Sequence, residues 1–338
     1  DRLRSRGLGD VYKRQILDGV KSDLAKLEAI ADLTPEDILH AVENKDLREV
    51  LGTLPRWENG EALPPLSQNW AEQTEALAAF HKRNGYGLFA NYAAFEWRDH
   101  ALSPISATDP IQLSDLKNYE LQRSQVVDNT ESFVCGLPAN NVLLYGDRGT
   151  GKSSTIHAIL NAYKKQGLRM IEIPKSAVEE LSLIREYLAD SPMKFIIYID
   201  DLSFDSQDNA FTELKAALEG GLSACQPNTL IYATSNRRHL IKENFSDRED
   251  DVNKNDTRQE QLSLSDRFGL TITFINPDKK DYLDIVEKIA ADRGLQVDAQ
   301  RLDAAAEQWA VRRGGRSPRC ARQFIDHVES ALRRGKEW

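Results

Sequence analysis

The spacing of apolar positions changes once along the chain, and the change divides it. Ile16, Val20, Leu24, Leu27 and Ile30 recur on one face at the helical period, so a helix is predicted there. Thr34-Pro35 reads as a cap followed by a first-turn proline, which opens another. A looser stretch, 51–69, carries Pro55, Gly60, Pro64 and Pro65, and two more helical patches are predicted at about 70–83 and 87–100. The aromatics of these patches (Trp70, Phe80, Phe89, Tyr92, Phe95, Trp97) read as core rather than as a stacking platform for bases, because acidic residues outnumber basic ones around them. Residues 16–108 are therefore expected to form an α-helical accessory region.

After a lead-in, 109–138, with a helical stripe of Leu113, Leu116, Tyr119 and Leu121, the pattern turns to short runs that are apolar throughout. These are VLLY (142–145), LRMIEIP (168–174), FIIYI at the head of FIIYIDD (195–201), TLIYATSN (229–236) and LTITFI (270–275). Runs apolar on both faces and separated by helices predict a five-stranded parallel sheet covered on both sides, an α/β fold. One intervening helix carries Ile156, Ile159, Leu160 and Tyr163 and ends at Lys164, Lys165 and Gly167; another spans 176–189. From Asp278 the helical period returns in three helices: Tyr282, Ile285, Val286 and Ile289 stripe the first, Leu302 and Trp309 mark the second, and Ser317-Pro318 opens the third. The expected organisation is thus 16–108 accessory region, 109–276 α/β core and 277–338 helical lid. DREDDVNKNDTRQEQ, between Phe245 and Leu262, has no periodicity and reads as a flexible surface loop. Residues 1–15, DRLRSRGLGDVYKRQ, begin without methionine and resemble translated adapter read-through; they are read as non-native and left out of fold reasoning.

Composition narrows the setting. No apolar run exceeds strand length, so neither a membrane span nor a secretory signal is expected. Cys135, Cys225 and Cys320 lie far apart without metal-ligand spacing, which points to a reduced cytoplasmic environment. The six histidines form no cluster, His157 reads as structural, and a zinc enzyme is not expected. A net charge of −9 is poorly suited to coating nucleic acid.

The chemistry concentrates at 146–153, GDRGTGKS, which fits G-x-x-x-x-G-K-[ST] between a strand and a helix. Gly146, Gly149 and Gly151 can take positive φ, so the backbone N–H groups of Asp147, Arg148, Thr150 and their neighbours can turn inward around a phosphate. The following helix adds its own unpaired N–H groups at Lys152, Ser153 and Ser154. Lys152 supplies a charge for the outer phosphates and Ser153 a hydroxyl for Mg²⁺. Two acids end the third strand, where ligands bind in open α/β sheets. Asp200 is expected to hold the Mg²⁺ shell, and Asp201 to orient or deprotonate the attacking water. A strand lies between the loop and Asp200, which places the chain among NTPases with an additional strand. Asn236 then comes between the acids and the γ-phosphate, where it can fix the water or report on hydrolysis. Asp201 is one methylene shorter than the Glu many relatives carry. Tyr119 is open to two readings, a contact to adenine or core packing.

Taken in order, GDRGTGKS, FIIYIDD, ATSN, LSDRFGL and RSPRCARQF resemble an AAA+ ATPase. NNVLLYGDRGTGKSS with DDLSF, LEGG and YATSNRRHL resembles, more narrowly, a bacterial AAA+ family of unassigned function. The resemblance covers about residues 110–335. It implies that Arg267 in SDRF is an arginine finger entering a neighbouring subunit's site, and that Arg319 in RSPR is the lid's sensor arginine. Arg237, Arg238, Arg312, Arg313 and Arg316 are neighbours that could compete. Where protein-threading relatives carry an aromatic-hydrophobic-Gly loop, this chain reads PKSAVEELSL, which disfavours unfoldase action. The expected function is Mg²⁺-dependent ATP hydrolysis in a nucleotide-dependent homo-oligomer acting on a protein or nucleic-acid client. The rivals are an ATP-gated binding module with negligible turnover and a P-loop small-molecule kinase.

Overall fold

The computed structural model describes residues 2–53, 69–203, 209–219, 227–236 and 266–338. The chain forms two compact units, 1–83 and 84–338. In the first, α1 (Arg2–Ala31) runs without interruption and is followed by α2 (Pro35–Ala41) and α3 (Lys45–Gly52). The cap at Thr34 is reciprocal: its hydroxyl accepts the Asp37 N–H while the Asp37 carboxylate accepts the Thr34 N–H. Asn44 caps α3 through the N–H groups of Asp46 and Leu47. Of the apolar stripe on α1 only Leu24 is buried; Ile16, Val20, Leu27 and Ile30 are exposed. A further helix, α4 (Thr74–Asn84), closes this part of the chain.

The second unit is built on a sheet whose described strands run in the order β2-β1-β4-β5-β6-β3-β7. Its members are β1 (Ala94–Arg98), β2 (Ala101–Pro104), β3 (Val142–Gly146), β4 (Leu168–Glu172), β5 (Lys194–Ile199), β6 (Thr229–Ser235) and β7 (Leu270–Phe274). The five runs expected as strands are β3 to β7, and they pair parallel in the order β4-β5-β6-β3-β7. The strand between the loop-bearing β3 and β5 is β4 in sequence but sits at the far side, so β5 and β6 bring their ends beside the loop. Side chains alternate across this sheet. Phe195, Ile197, Ile199 and Ile231 pack with α8 (Leu181–Leu188) and α9 (Asn209–Glu219) on one face. Leu144, Ile196, Tyr198 and Tyr232 pack with α6 (Glu120–Val134) and α7 (Lys152–Tyr163) on the other. After β7 come α10 (Lys279–Asp292), α11 (Ala299–Arg313) and α12 (Pro318–Arg333), the three helices expected as a lid, which enclose a core of their own around Tyr282, Ile285, Phe324 and Ile325.

The sheet has seven described strands rather than five, and it is mixed rather than wholly parallel. The expectation of a helix over 87–100 fails for a legible reason. Aromatics at 89, 92 and 95 mimic a three-residue step, but only a short helix, α5 (Leu88–Asn91), forms. From Ala94 the period is two: Phe95 and Trp97 point into the core. Asp99 and His100 both take positive φ and reverse the chain as a two-residue hairpin turn. β1 then lies parallel to β4, with Phe95 opposite Ile171. The segment entering it is fastened by the buried guanidinium of Arg169, which donates to the carbonyls of Asn84 and Phe89 at 3.0 and 2.9 Å. At the hairpin's far end, Trp97 Nε1 donates to Glu180 Oε2 at 2.7 Å, and His100 Nδ1 meets the same oxygen at 2.8 Å. Glu180 belongs to PKSAVEELSL, so that stretch is held as a 3₁₀ turn and α8 against the hairpin.

The charged stretch after Phe245 lies outside the described residues, as do Arg237, Arg238 and Cys225. Among the described residues no helix is long and apolar enough to cross a membrane.

Trp97→Ala removes a 3%-exposed indole and leaves Glu180 without its shortest donor. Its expected cost is about 3–5 kcal/mol, measured by urea unfolding; Trp97→Phe should recover most of it.

Candidate functional site

The site begins where β3 runs out. Gly146 sits opposite Phe274 in the β3–β7 register, with φ of 133°. A Cβ there would lie 1.9 Å from the Phe274 carbonyl oxygen, so the close approach of two backbones demands glycine. The loop is then fastened from outside. The Asp147 N–H, expected to face a phosphate, instead donates to the Phe274 carbonyl at 2.8 Å because β7 runs alongside, and the Asn276 N–H donates to Asp147 Oδ2 at 2.7 Å. The Thr150 hydroxyl closes back on the Asp147 carbonyl at 2.9 Å. From the lid, the N–H of Arg319 donates to the Gly149 carbonyl at 3.1 Å, and a Cβ on Gly149 would come within 3.0 Å of the Ser317 hydroxyl. Arg148 is exposed and Ser154 half-buried in the first turn of α7. No side chain caps that helix at Gly151, so its leading N–H groups stand open to an anion.

Lys152 is 5% exposed and fully engaged. Its Nζ donates to the carbonyls of Gly146 and Asp147 at 3.0 and 2.7 Å and to Asn236 Oδ1 at 3.1 Å. Burial lowers its pKa, and the nearby Asp147, Asp201 and Asp200 only partly restore it. Asn236 also donates from Nδ2 to Asp201 Oδ1 at 2.6 Å, so it bridges the lysine and the second acid. Asp201 takes φ of 48°, an uncommon left-handed conformation that Asp tolerates better than most residues, and its N–H donates to the Thr234 hydroxyl at 3.0 Å.

Asp200 sits across from α7. Its Oδ1 accepts the Ser153 hydroxyl at 2.8 Å, the Tyr198 hydroxyl at 2.6 Å and the Thr234 hydroxyl. The surrounding protein desolvates this carboxyl and by itself would raise its pKa; the hydroxyls of Thr234, Tyr198 and Ser153 outweigh that and hold it below the usual value. Burial and the neighbouring carboxylate push the Tyr198 hydroxyl well above its ordinary range, so it remains a donor. Its ring is 1% exposed and meets His157 of α7 edge-on at 5.8 Å.

Beside the loop a pocket is lined by Leu116, Lys117, Tyr119, Thr150, Ile285 and Arg322. Tyr119 lines this pocket and packs as core, with its ring on Phe274 and its hydroxyl donating to the Ile275 carbonyl at 2.6 Å.

The structure therefore brings together the loop 146–154, Asp200, Asp201, Asn236 and, from the lid, Arg319. It does not bring Arg267 to them. That residue precedes β7, whose Leu270 pairs with Val142, while the loop follows Gly146 at the other end of the strand. Four residues of strand, roughly 13 Å, separate the two ends. Among the competing arginines, Arg316 is held by both carboxylate oxygens of Glu307 at 2.9 Å, and Arg313 lies over the Trp309 ring. Sequence reasoning passed over Tyr198 and Thr234. The signal was a spacing of two: each lies two residues before a site residue, Asp200 and Asn236, on the same side of its strand. Asn276 gave none, because its contact to the loop is long-range.

Gly146→Ala drives a methyl into the backbone of β7. Expected is a loss of stability of at least about 2 kcal/mol, read by thermal unfolding.

A family described as "Protein of unknown function (DUF815)" matches residues 90–332. No curated protein matches the chain. Among solved structures, the Thermotoga maritima RuvB Holliday junction branch migration motor is similar with a TM-score of 0.44 at 17% identity, over 66% of this chain and 65% of that one. A point-substituted form of Thermotoga maritima RuvB is similar with a TM-score of 0.45 at 18% identity, over 66% and 65%. The chain thus spans slightly less than two thirds of the length of these structures.

Proposed function

The chain belongs to the family described as protein of unknown function (DUF815), and we propose that it is a cytoplasmic, Mg²⁺-dependent AAA+ ATPase that couples nucleotide state to an action on a protein or nucleic-acid client. One observation carries the reading: the uncapped head of α7 faces an acid pair, with the Ser153 hydroxyl 2.8 Å from Asp200 Oδ1. An anion cradle attracts a phosphate that the neighbouring carboxylate repels, so the two serve one ligand only with a cation between them. A hydroxyl beside a carboxylate is a hard-oxygen donor set of the kind Mg²⁺ prefers. Ser153 and Asp200 would hold it, and bound Mg²⁺ would supply charge neutralisation at the phosphate oxygens.

The chain's own residues do the rest. The N–H groups of Gly149, Thr150, Gly151, Lys152 and Ser153 bind phosphate oxygens, and Lys152 exchanges its carbonyl partners for the outer phosphates. Asp201 orients or deprotonates the attacking water, and Asn236 sets the position of that acid relative to Lys152. Arg319 approaches from the lid. Arg267 lies at the opposite end of the strands, which suits a role in a neighbour's site rather than its own, and with it a homo-oligomer assembled around nucleotide. A second reading has a specific observation behind it. Asp201 is short and already accepts from Asn236 at 2.6 Å, which favours an ATP-gated binding module with negligible turnover.

The roles separate experimentally. Lys152→Ala should lose nucleotide binding and turnover together; unchanged turnover removes the reading. Asp201→Asn should bind ATP and hydrolyse it about a hundredfold or more slowly, whereas a wild type with no turnover but an ATP-dependent conformational change selects the gated module. Arg267→Ala should bind ATP normally yet turn over about a thousandfold more slowly, and mixing it with Lys152→Ala should restore part of the rate. Full activity of Arg267→Ala at every protein concentration excludes the shared site.

A further inference from the structure

The hydroxyls around Asp200 gather on one of its two oxygens. Three of them end on Oδ1, from Ser153, Tyr198 and Thr234, and none of the three reaches Oδ2. A carboxylate oxygen has two lone pairs in its plane, so three donors saturate it. The three come from three different elements. Ser153 belongs to α7, Tyr198 to β5 two residues before the acid, and Thr234 to the neighbouring β6. Tyr198 is itself locked, being 1% exposed with its ring edge-on to His157. Thr234 is 2% exposed and accepts the Asp201 N–H, so it fixes both acids at once. The carboxylate cannot turn about its side-chain bonds without breaking these contacts.

We propose that Tyr198, together with Thr234, is a positioning residue for the metal shell: the two hydroxyls occupy Asp200 Oδ1 and so reserve Oδ2 for a Mg²⁺-bound water. This rests on the reading of the site as a magnesium–nucleotide site. The tyrosine is more than a core aromatic, because a core aromatic needs no hydroxyl; phenylalanine would fill the same space against His157. Its hydroxyl bonds to the carboxylate that follows it, on the same side of the strand. Ser153 cannot do the work alone, since as a Mg²⁺ ligand it would turn a lone pair to the metal while its O–H still donates to Asp200. With the other two hydroxyls removed, the carboxylate is held at a single point and its orientation is lost.

The test uses the full chain and a fluorescent ADP analogue, titrated first in EDTA and then over a Mg²⁺ series, without turnover. In Tyr198→Phe the affinity in EDTA should match wild type, while the Mg²⁺ midpoint rises about tenfold. Thr234→Val should shift it likewise, and Thr234→Ser, which keeps the hydroxyl, should not. An unchanged Mg²⁺ midpoint in both Tyr198→Phe and Thr234→Val overturns the proposal, as does an equal loss of affinity with and without Mg²⁺, which marks a structural defect. A wild type that binds no nucleotide at all overturns instead the reading on which the proposal rests.

Discussion

A loop that is to surround an anion must keep its own backbone N–H groups unpaired, and such a loop cannot hold its own shape. Everything about residues 146–151 answers that constraint. The Thr150 hydroxyl and the Lys152 ammonium close on loop carbonyls, and the other fixing contacts come from outside the loop. The end of β7 provides two, through the Phe274 carbonyl and the Asn276 N–H, and the head of α12 provides another through Arg319. Each such bond contributes about 1 kcal/mol, enough together to hold a glycine-rich segment in one conformation. The parallel pairing of β3 with β7 is therefore a condition of the site, since it alone delivers Phe274 to Gly146.

The same economy of partners governs charge. Lys152 is buried among Asp147, Asp200 and Asp201, and its ammonium is satisfied by two loop carbonyls and the Asn236 amide rather than by a direct carboxylate pair. A direct pair would be hard to separate. Neutral oxygens can be exchanged for phosphate oxygens with less loss, because the desolvation of the lysine has already been met by the fold. On the opposite wall, hydroxyls keep Asp200 ionised. The two walls thus hold opposite charges apart with neutral groups in between, which is what a site for a charged ligand and a cation requires.

Much of this was legible in the chain because the relevant signals are local. A glycine-spaced loop between an apolar run and a helical stripe, two acids ending a strand, and a serine-proline pair opening α12 each show themselves within ten residues. What escaped was non-local or ambiguous in period. The step of three at Phe89, Tyr92 and Phe95 fits a helix as well as it fits the approach to β1, and only pairing with β4 decides it. The bonds from the Asn276 and Arg319 N–H groups to the loop join residues more than a hundred positions apart and leave no pattern to read. Tyr198 lay between: its position on the strand was readable, but an aromatic in an apolar run is ordinarily core, and it is core as well.

The loop's outside contacts have a mechanical consequence. Asn276 stands at the start of the connection to α10, and Arg319 in the first turn of α12, so the loop is tied to both ends of the lid. The lid has an interior of its own around Tyr282 and Phe324, and the segment between α11 and α12 is tied back to α11 by the Arg316–Glu307 pair. Anything that redraws the loop, drawing Asp147 inward or displacing the Gly149 carbonyl, must either break a tie to the lid or move it. Loop and lid are thus joined directly, by the bond from the Asn276 N–H to Asp147 and by the bond from the Arg319 N–H to the Gly149 carbonyl.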